Sequence, residues 1–171
     1  SIYLGTIDGV AINAWRVIRS TFSATEQLRA TTWWDTGENL DLLLMVNGDA
    51  NIYEWNGAIA VVSSASGTSI VKQGTTTWAQ NRFYTTRNKS IINLTTGATH
   101  TYSGGETTTI LTGLNNITGI SAGDVIIQAF VTQTDEPAAS RNNDTIFTFE
   151  NQICVGSNDD EEVYLSQNDS Y

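Results

Sequence analysis

The sequence predicts an all-β fold of antiparallel, blade-like sheets, of propeller or sandwich type, with a small β insertion. Three observations carry this expectation. The chain is rich in Thr, Asn, Ser and Gly and has a single proline; Thr and the aromatics suit pleated, half-buried surfaces, while Asn and Gly supply turns. Short apolar or aromatic runs recur along the chain, separated by turn dipeptides. Finally, NGDANIYEWNG (47–57) brackets one aromatic strand with two Asn-Gly pairs. This dipeptide favours tight hairpins because both central residues of a type I′ turn need positive φ.

In chain order, the expected strands are SIYLGTI, AINAWRVIR, LRATTWW, DLLLMVN, NIYEW, AIAVV, RFYTT, SIINL, ATHTY, TTTILTGL, DVIIQAFVTQ, TIFTF, QICVG and EVYLS. Turns fall at Asp8-Gly9, Asn47-Gly48, Asn56-Gly57, Thr96-Gly97 and Gly104-Gly105. The one helix candidate is STFSATEQLRA, where Ser23 or Thr25 would cap.

A repeat is visible beneath these strands. The stretch from Thr77, TWAQNRFYTTRNKSIINLTTGATHTY, and that from Thr145, TIFTFENQICVGSNDDEEVYLSQNDSY, share an order: apolar pair, Asn (Asn81, Asn151), strand, polar turn, strand. LLLMVNGDANIYEWNGAIAVV (42–62) is a shorter version, and starts at 42 and 77 lie 35 residues apart, a blade-sized interval. A generic meander would show the same turns. The division expected is blade-like repeats over 1–96, a small β insertion over 97–141, and a further repeat over 142–171. SIYLGTI opens within a strand and YLSQNDSY stops just after one, so both ends read as cut from something longer.

A chain of 171 residues buries roughly 70% of its unfolded surface and needs no covalent staple. The single Cys154 leaves no internal disulfide and no cysteine-based zinc site. The net charge of −10 and pI near 4.2 argue against ordinary nucleic-acid binding, which needs cations to displace phosphate counterions. They equally oppose docking on an anionic membrane surface. Simple solubility explains the acidity, and so would a wall past which DNA slides without sticking. No apolar run reaches the roughly eighteen residues of a transmembrane helix.

FENQICVGSNDDEEVYLSQNDSY, with its apolar residue, Asn, strand ending in Gly-Ser, polar turn and Val-Tyr-x-Ser, resembles the blades of tailed-bacteriophage virion proteins of the hub, nozzle and stopper type. LLLMVNGDANIYEWNG is similar to the companion motif of those blades, and HTYSGGETTTILTGL…AGDVIIQAF to a small β module found between them. The resemblance spans roughly residues 40–170, leaving the N-terminal 35 unmatched. It implies a non-enzymatic structural role in a virion tail or connector, with other virion proteins and copies of the chain as partners. It carries over no catalytic residue.

The residues themselves offer little chemistry. His100 is the only histidine, so a Ser-His-Asp triad would have to use it; in the alternating ATHTY run it reads first as an ordinary strand or turn histidine. A multi-histidine metal site cannot form within one chain. Asp159, Asp160, Glu161 and Glu162 cluster in a turn, and Asp49 has amide neighbours, yet neither stretch follows the calcium-loop pattern; no cofactor is expected. Asp8, Asp35, Glu54, Asp124 and Asp144 are available to a glycosidase pair, which needs a fixed carboxyl separation. Five N-x-[ST] sequons (Asn88, Asn93, Asn116, Asn143, Asn168) are close to the number so Asn- and Thr-rich a chain gives by chance.

Trp33 and Trp34 are adjacent, and neighbours on a strand point to opposite faces, so at least one leaves a one-sided core. With Tyr53 and Trp55 they are the candidate contact residues, for a subunit interface first and a glycan second. The alternative function is therefore a carbohydrate-binding or host-adhesion β-sandwich module, with a host glycan as partner.

Overall fold

A computed structural model describes residues 6–7, 10–11, 27–35, 39–48, 51–86, 88–133, 145–149, 152–156 and 163–165. The fold is all-β and its sheets are antiparallel. Its strands are β1 (Thr6–Ile7), β2 (Val10–Ala11), β3 (Arg29–Asp35), β4 (Leu40–Val46), β5 (Ile52–Trp55), β6 (Ile59–Ser66), β7 (Ser69–Lys72), β8 (Ser90–Asn93), β9 (Thr99–Thr101), β10 (Ile110–Leu111), β11 (Val125–Gln128), β12 (Val131–Gln133), β13 (Thr145–Phe149), β14 (Gln152–Gly156) and β15 (Val163–Leu165). Contacts divide the chain into two units: Ser1–Ser20 with Gly57–Ala129, and Thr21–Asn56 with Phe130–Tyr171.

The Gly57–Ala129 segment builds a six-stranded sheet in the order β10-β7-β6-β11-β8-β9. The sheet curls until its two edges meet. Beyond the strand ends Gly104 bridges Thr112, with Thr112 N donating to Gly104 O at 2.8 Å and Ser103 N to Thr112 O at 3.1 Å. Period-two alternation then sorts the side chains. Ala60, Ile126 and Asn93 share one row across β6, β11 and β8 and face inward, as do Gln128 and Ile91. Ala60, Val62, Ile70, Ile91, Leu111 and Ile126 form the inner core with Trp78, Phe83, Leu114 and Ile120 from the connections.

Both ends of this sheet are closed by polar groups with named partners, as burial demands. At one end Gln128 Nε2 donates to Tyr84 O at 2.7 Å, to Tyr102 OH at 2.9 Å and to Asn88 O. This ties down the segment that follows a 3₁₀ turn (Ala79–Asn81), whose flanking Trp78 and Phe83 pack edge to face at 4.7 Å. At the other end Asn93 Nδ2 donates to Gly119 O at 2.9 Å and to Asp124 Oδ2 at 2.8 Å, and Ser121 N donates to the same oxygen at 2.8 Å. Where β7 stops, buried Lys72 continues the seal. Its Nζ donates to Thr76 Oγ1 at 2.7 Å, Thr76 to Asn81 Oδ1 at 2.6 Å, and Asn81 Nδ2 to Ile59 O at 3.0 Å.

The second unit holds a four-stranded sheet, β12-β5-β4-β3, and a three-stranded one, β13-β14-β15. β13 lies along β3, where Thr148 Oγ1 donates to Thr32 O at 3.4 Å.

Three expectations change. RFYTT is no strand: Arg82 adopts φ 66° after the 3₁₀ turn, and Phe83 is buried as a plug against Trp78. SIVK, passed over because Ser, Thr, Gly and Lys surround it, is β7. The second Asn-Gly does not close a hairpin: β5 pairs with β4 and β12, whereas β6 pairs with β7 and β11. Asn56-Gly57, with Gly57 at φ 77°, marks the passage from one unit to the other, so LLLMVNGDANIYEWNGAIAVV is not one structural repeat. Arg29 and Ala30, from the end of the helix candidate, open β3, and residues 20–26 lie outside the described residues.

Candidate interaction surface

The β3–β4–β5 register assigns each aromatic candidate to a face. Trp33 pairs with Leu42, Thr31 with Leu44, and Leu44 with Glu54, so Trp33 shares a face with Leu42, Leu44 and Glu54. Trp34 pairs with Asp41, Thr32 with Leu43, Leu43 with Trp55, and Met45 with Tyr53; these occupy the opposite face. The two adjacent tryptophans thus point to opposite sides of the sheet.

Burial separates the four further. Trp34 is 46% exposed and Trp33 half-buried, whereas Tyr53 and Trp55 are each 7% exposed. All four residues of β5 are buried, so this strand is covered on both faces. The Trp55 ring stacks on Phe130 with centroids 5.9 Å apart. Its area therefore works as packing, and Trp34 is the member of the group with a ring open to a ligand or neighbour.

Two further exposed apolar side chains, Phe147 on β13 and Val163 on β15, belong to the same unit. Sequence reasoning passed over both, because alternation within TIFTF and EVYLS does not say which face meets a core. It also passed over Asp41, exposed and directly opposite Trp34. The readable signal was the short connection between WWD and LDL, which sets that register.

Among the described residues the acidic positions do not converge on a shared centre. Asp159, Asp160, Glu161 and Glu162 lie outside the described residues, as do Asp8, Asp49 and Asp144. Asp124 is committed to the network around Asn93 and Ser121. Glu54 and Asp35 are buried on the four-stranded sheet. No group of three His, Cys, Asp or Glu suited to a metal occurs among the described residues. His100 faces the interior from β9 at 2% exposure, and neither ring nitrogen makes a hydrogen bond among the described residues. Of the sequons, Asn93 is fully buried with its amide in use, so the folded chain cannot be glycosylated there; Asn116 is exposed.

Among the described residues, three groups are shifted from their ordinary pKa values. Burial, reinforced by the nearby Glu106 charge, pushes the Tyr102 phenol well up. Burial raises Glu106, but hydrogen bonds with Thr85 and its own backbone outweigh it and leave the carboxyl below the usual range; Thr85 N donates to Glu106 Oε1 at 2.9 Å. Burial pushes up the Cys154 thiol.

No helix among the described residues is long and apolar enough to cross a membrane. Compared with models of protein families, with curated proteins and with solved structures, the chain matches none.

Proposed function

We propose that the chain is a non-enzymatic structural component of a bacteriophage tail or head-to-tail connector, resident in the virion and joined to other virion proteins and to copies of itself. The observation that carries this reading is that Trp34, Phe147 and Val163, three of the four large apolar side chains exposed among the described residues, stand on strands of one unit. Exposed apolar side chains become a contact surface where they form a contiguous patch, and β12 and β15 are end strands of their sheets among the described residues, the position from which a strand can pair with another chain. The motif resemblance over residues 40–170 supports the same reading. The net charge of −10 suits a wall past which DNA travels without adhesion. Gold-labelled antibodies raised against the chain test the assignment on purified virions. Label at the tail or portal vertex is expected; unlabelled particles would refute it.

One observation favours a second reading, a carbohydrate-binding or host-adhesion module: exposed Trp34 stands opposite the exposed carboxylate of Asp41. An aromatic face beside a hydrogen-bond acceptor suits a sugar ring. A glycan array decides it, since specific binding lost in Trp34→Ala supports the adhesin and a blank array removes it.

A further inference from the structure

His100 stands on the inner face of the curled sheet. It pairs with Ile91, which pairs in turn with Gln128, so the three share one row across β9, β8 and β11. Ile91 belongs to the inner core, and alternation turns its row partners the same way. Tyr102 extends the β8 pairing just past β9, its N donating to Lys89 O at 2.9 Å. Two residues on from His100, it falls on the same face and joins the same core.

These two side chains carry hydrogen-bonding capacity that the protein leaves unused. His100 is only 2% exposed, yet neither ring nitrogen has a partner among the described residues. A neutral imidazole carries one donor and one acceptor, and buried polar groups in folded proteins are paired with protein or with ordered water. The Tyr102 hydroxyl accepts from Gln128 Nε2 at 2.9 Å and makes no other hydrogen bond among the described residues, so its own proton still lacks an acceptor. Burial and the Glu106 charge push the phenol up, which keeps that proton on the oxygen.

Size and charge limit what could complete these groups. A barrel of about eight strands is just wide enough for side chains or one small ligand. This sheet has six strands, and Trp78, Phe83 and Tyr102 are already buried inside it. The row of His100 holds no charged side chain, so nothing there favours an ion. An uncharged molecule of the smallest size, able both to donate and to accept, meets all three conditions. A buried water needs about two to four polar partners, and one ring nitrogen with the Tyr102 hydroxyl supplies two.

We propose that the curled sheet encloses an ordered water, held between a ring nitrogen of His100 and the hydroxyl of Tyr102. The water joins His100 to Tyr102, which Gln128 ties to the carbonyls of Tyr84 and Asn88, so the polar seal at that end extends into β9. The site lies within one unit and is independent of what the chain assembles with.

A crystal structure of the full chain should show a water at about 2.7–3.2 Å from one His100 ring nitrogen and from the Tyr102 hydroxyl. In solution, relaxation dispersion of the solvent oxygen nuclei counts long-lived internal waters, and hydroxyl hydrogen exchange cannot mimic it. Tyr102→Phe and His100→Leu should each lose one such water relative to the full chain. The crystal experiment needs no substitution, and either variant suffices if the other does not fold. His100 nitrogens that meet only carbon or another protein group in the crystal would overturn the proposal. So would a folded variant that keeps the full count of waters.

Discussion

Closure of the curled sheet depends on Gly105, and replacing it by alanine tests the account of how the edges meet. Gly105 sits at φ 97°, and an added Cβ would fall within the van der Waals shell of Ile110 O and 3.0 Å from Thr112 N. Both obstacles are backbone, so relief requires residues 103–105 to part from 110–112. That motion stretches the Thr112–Gly104 and Ser103–Thr112 hydrogen bonds, each worth about 1 kcal/mol, on top of about 1–2 kcal/mol for a non-glycine residue at positive φ. The expected loss is about 3–4 kcal/mol, or a factor of several hundred in the local opening equilibrium. Gly97→Ala is the control: φ is 76°, with nothing within 4 Å of the added carbon, so only the backbone term of about 1–2 kcal/mol applies. Urea unfolding gives the global values, and amide exchange at Thr112 the local one. Should Gly105→Ala and Gly97→Ala lose stability equally, the edge contact would not be a closing element.

Other perturbations follow from the same geometry. Trp55→Ala should cost about 3–5 kcal/mol through lost packing against Phe130, whereas Trp34→Ala should stay within about 0.5 kcal/mol; paired thermal melts check both. With its carboxyl held below the usual range, Glu106 contributes stability that is present above the ordinary carboxylate pKa and lost as pH falls through its lowered value. Glu106→Gln should therefore flatten the acid limb of a stability–pH curve. Tyr102 behaves oppositely: its raised pKa gives stability that is complete below about pH 10 and lost as pH rises beyond it, so Tyr102→Phe should remove that alkaline loss. The Cys154 thiol, buried and pushed up, should react with a thiol reagent in native protein far more slowly than in denaturant, and equal rates would refute its burial.

Strand existence was legible because Thr, Val, Ile and the aromatics recur at period two between Asn and Gly turns; β5, β8, β9 and β14 lie within the strand-like runs, and β3 and β4 overrun theirs by one residue each, at Asp35 and Leu40. The opposed faces of Trp33 and Trp34 follow from alternation alone. Partnership was not legible. β11 comes late in the chain yet inserts between β6 and β8, and nothing local in DVIIQAF announces the strands it will join. Nor does that run show its division after Ala129, where β11 and β12 enter different units. Lys72 concealed β7, because its charge reads as solvent-facing until Thr76 and Asn81 are seen to receive it. On the contact surface, Trp34 was named from sequence but could not be distinguished from Tyr53 and Trp55, whose burial depends on strands far along the chain.

The passage at Asn56-Gly57 has a counterpart at Ala129-Phe130. Immediately inside these points Gln128 N donates to Ala58 O at 3.2 Å; immediately outside, Trp55 and Phe130 stack at 5.9 Å. The seventy-odd residues between thus leave and re-enter their surroundings at neighbouring positions, as a detour leaves and rejoins a road at one junction. Such a segment can be lengthened, exchanged or cut out over evolutionary time while Trp55 and Phe130 keep the splice in register. The host unit pays only for closing a loop, a cost that grows slowly with what the loop contains. Grafting a two- or three-residue turn between Asn56 and Phe130 should leave β12, β5, β4 and β3 paired in the same order.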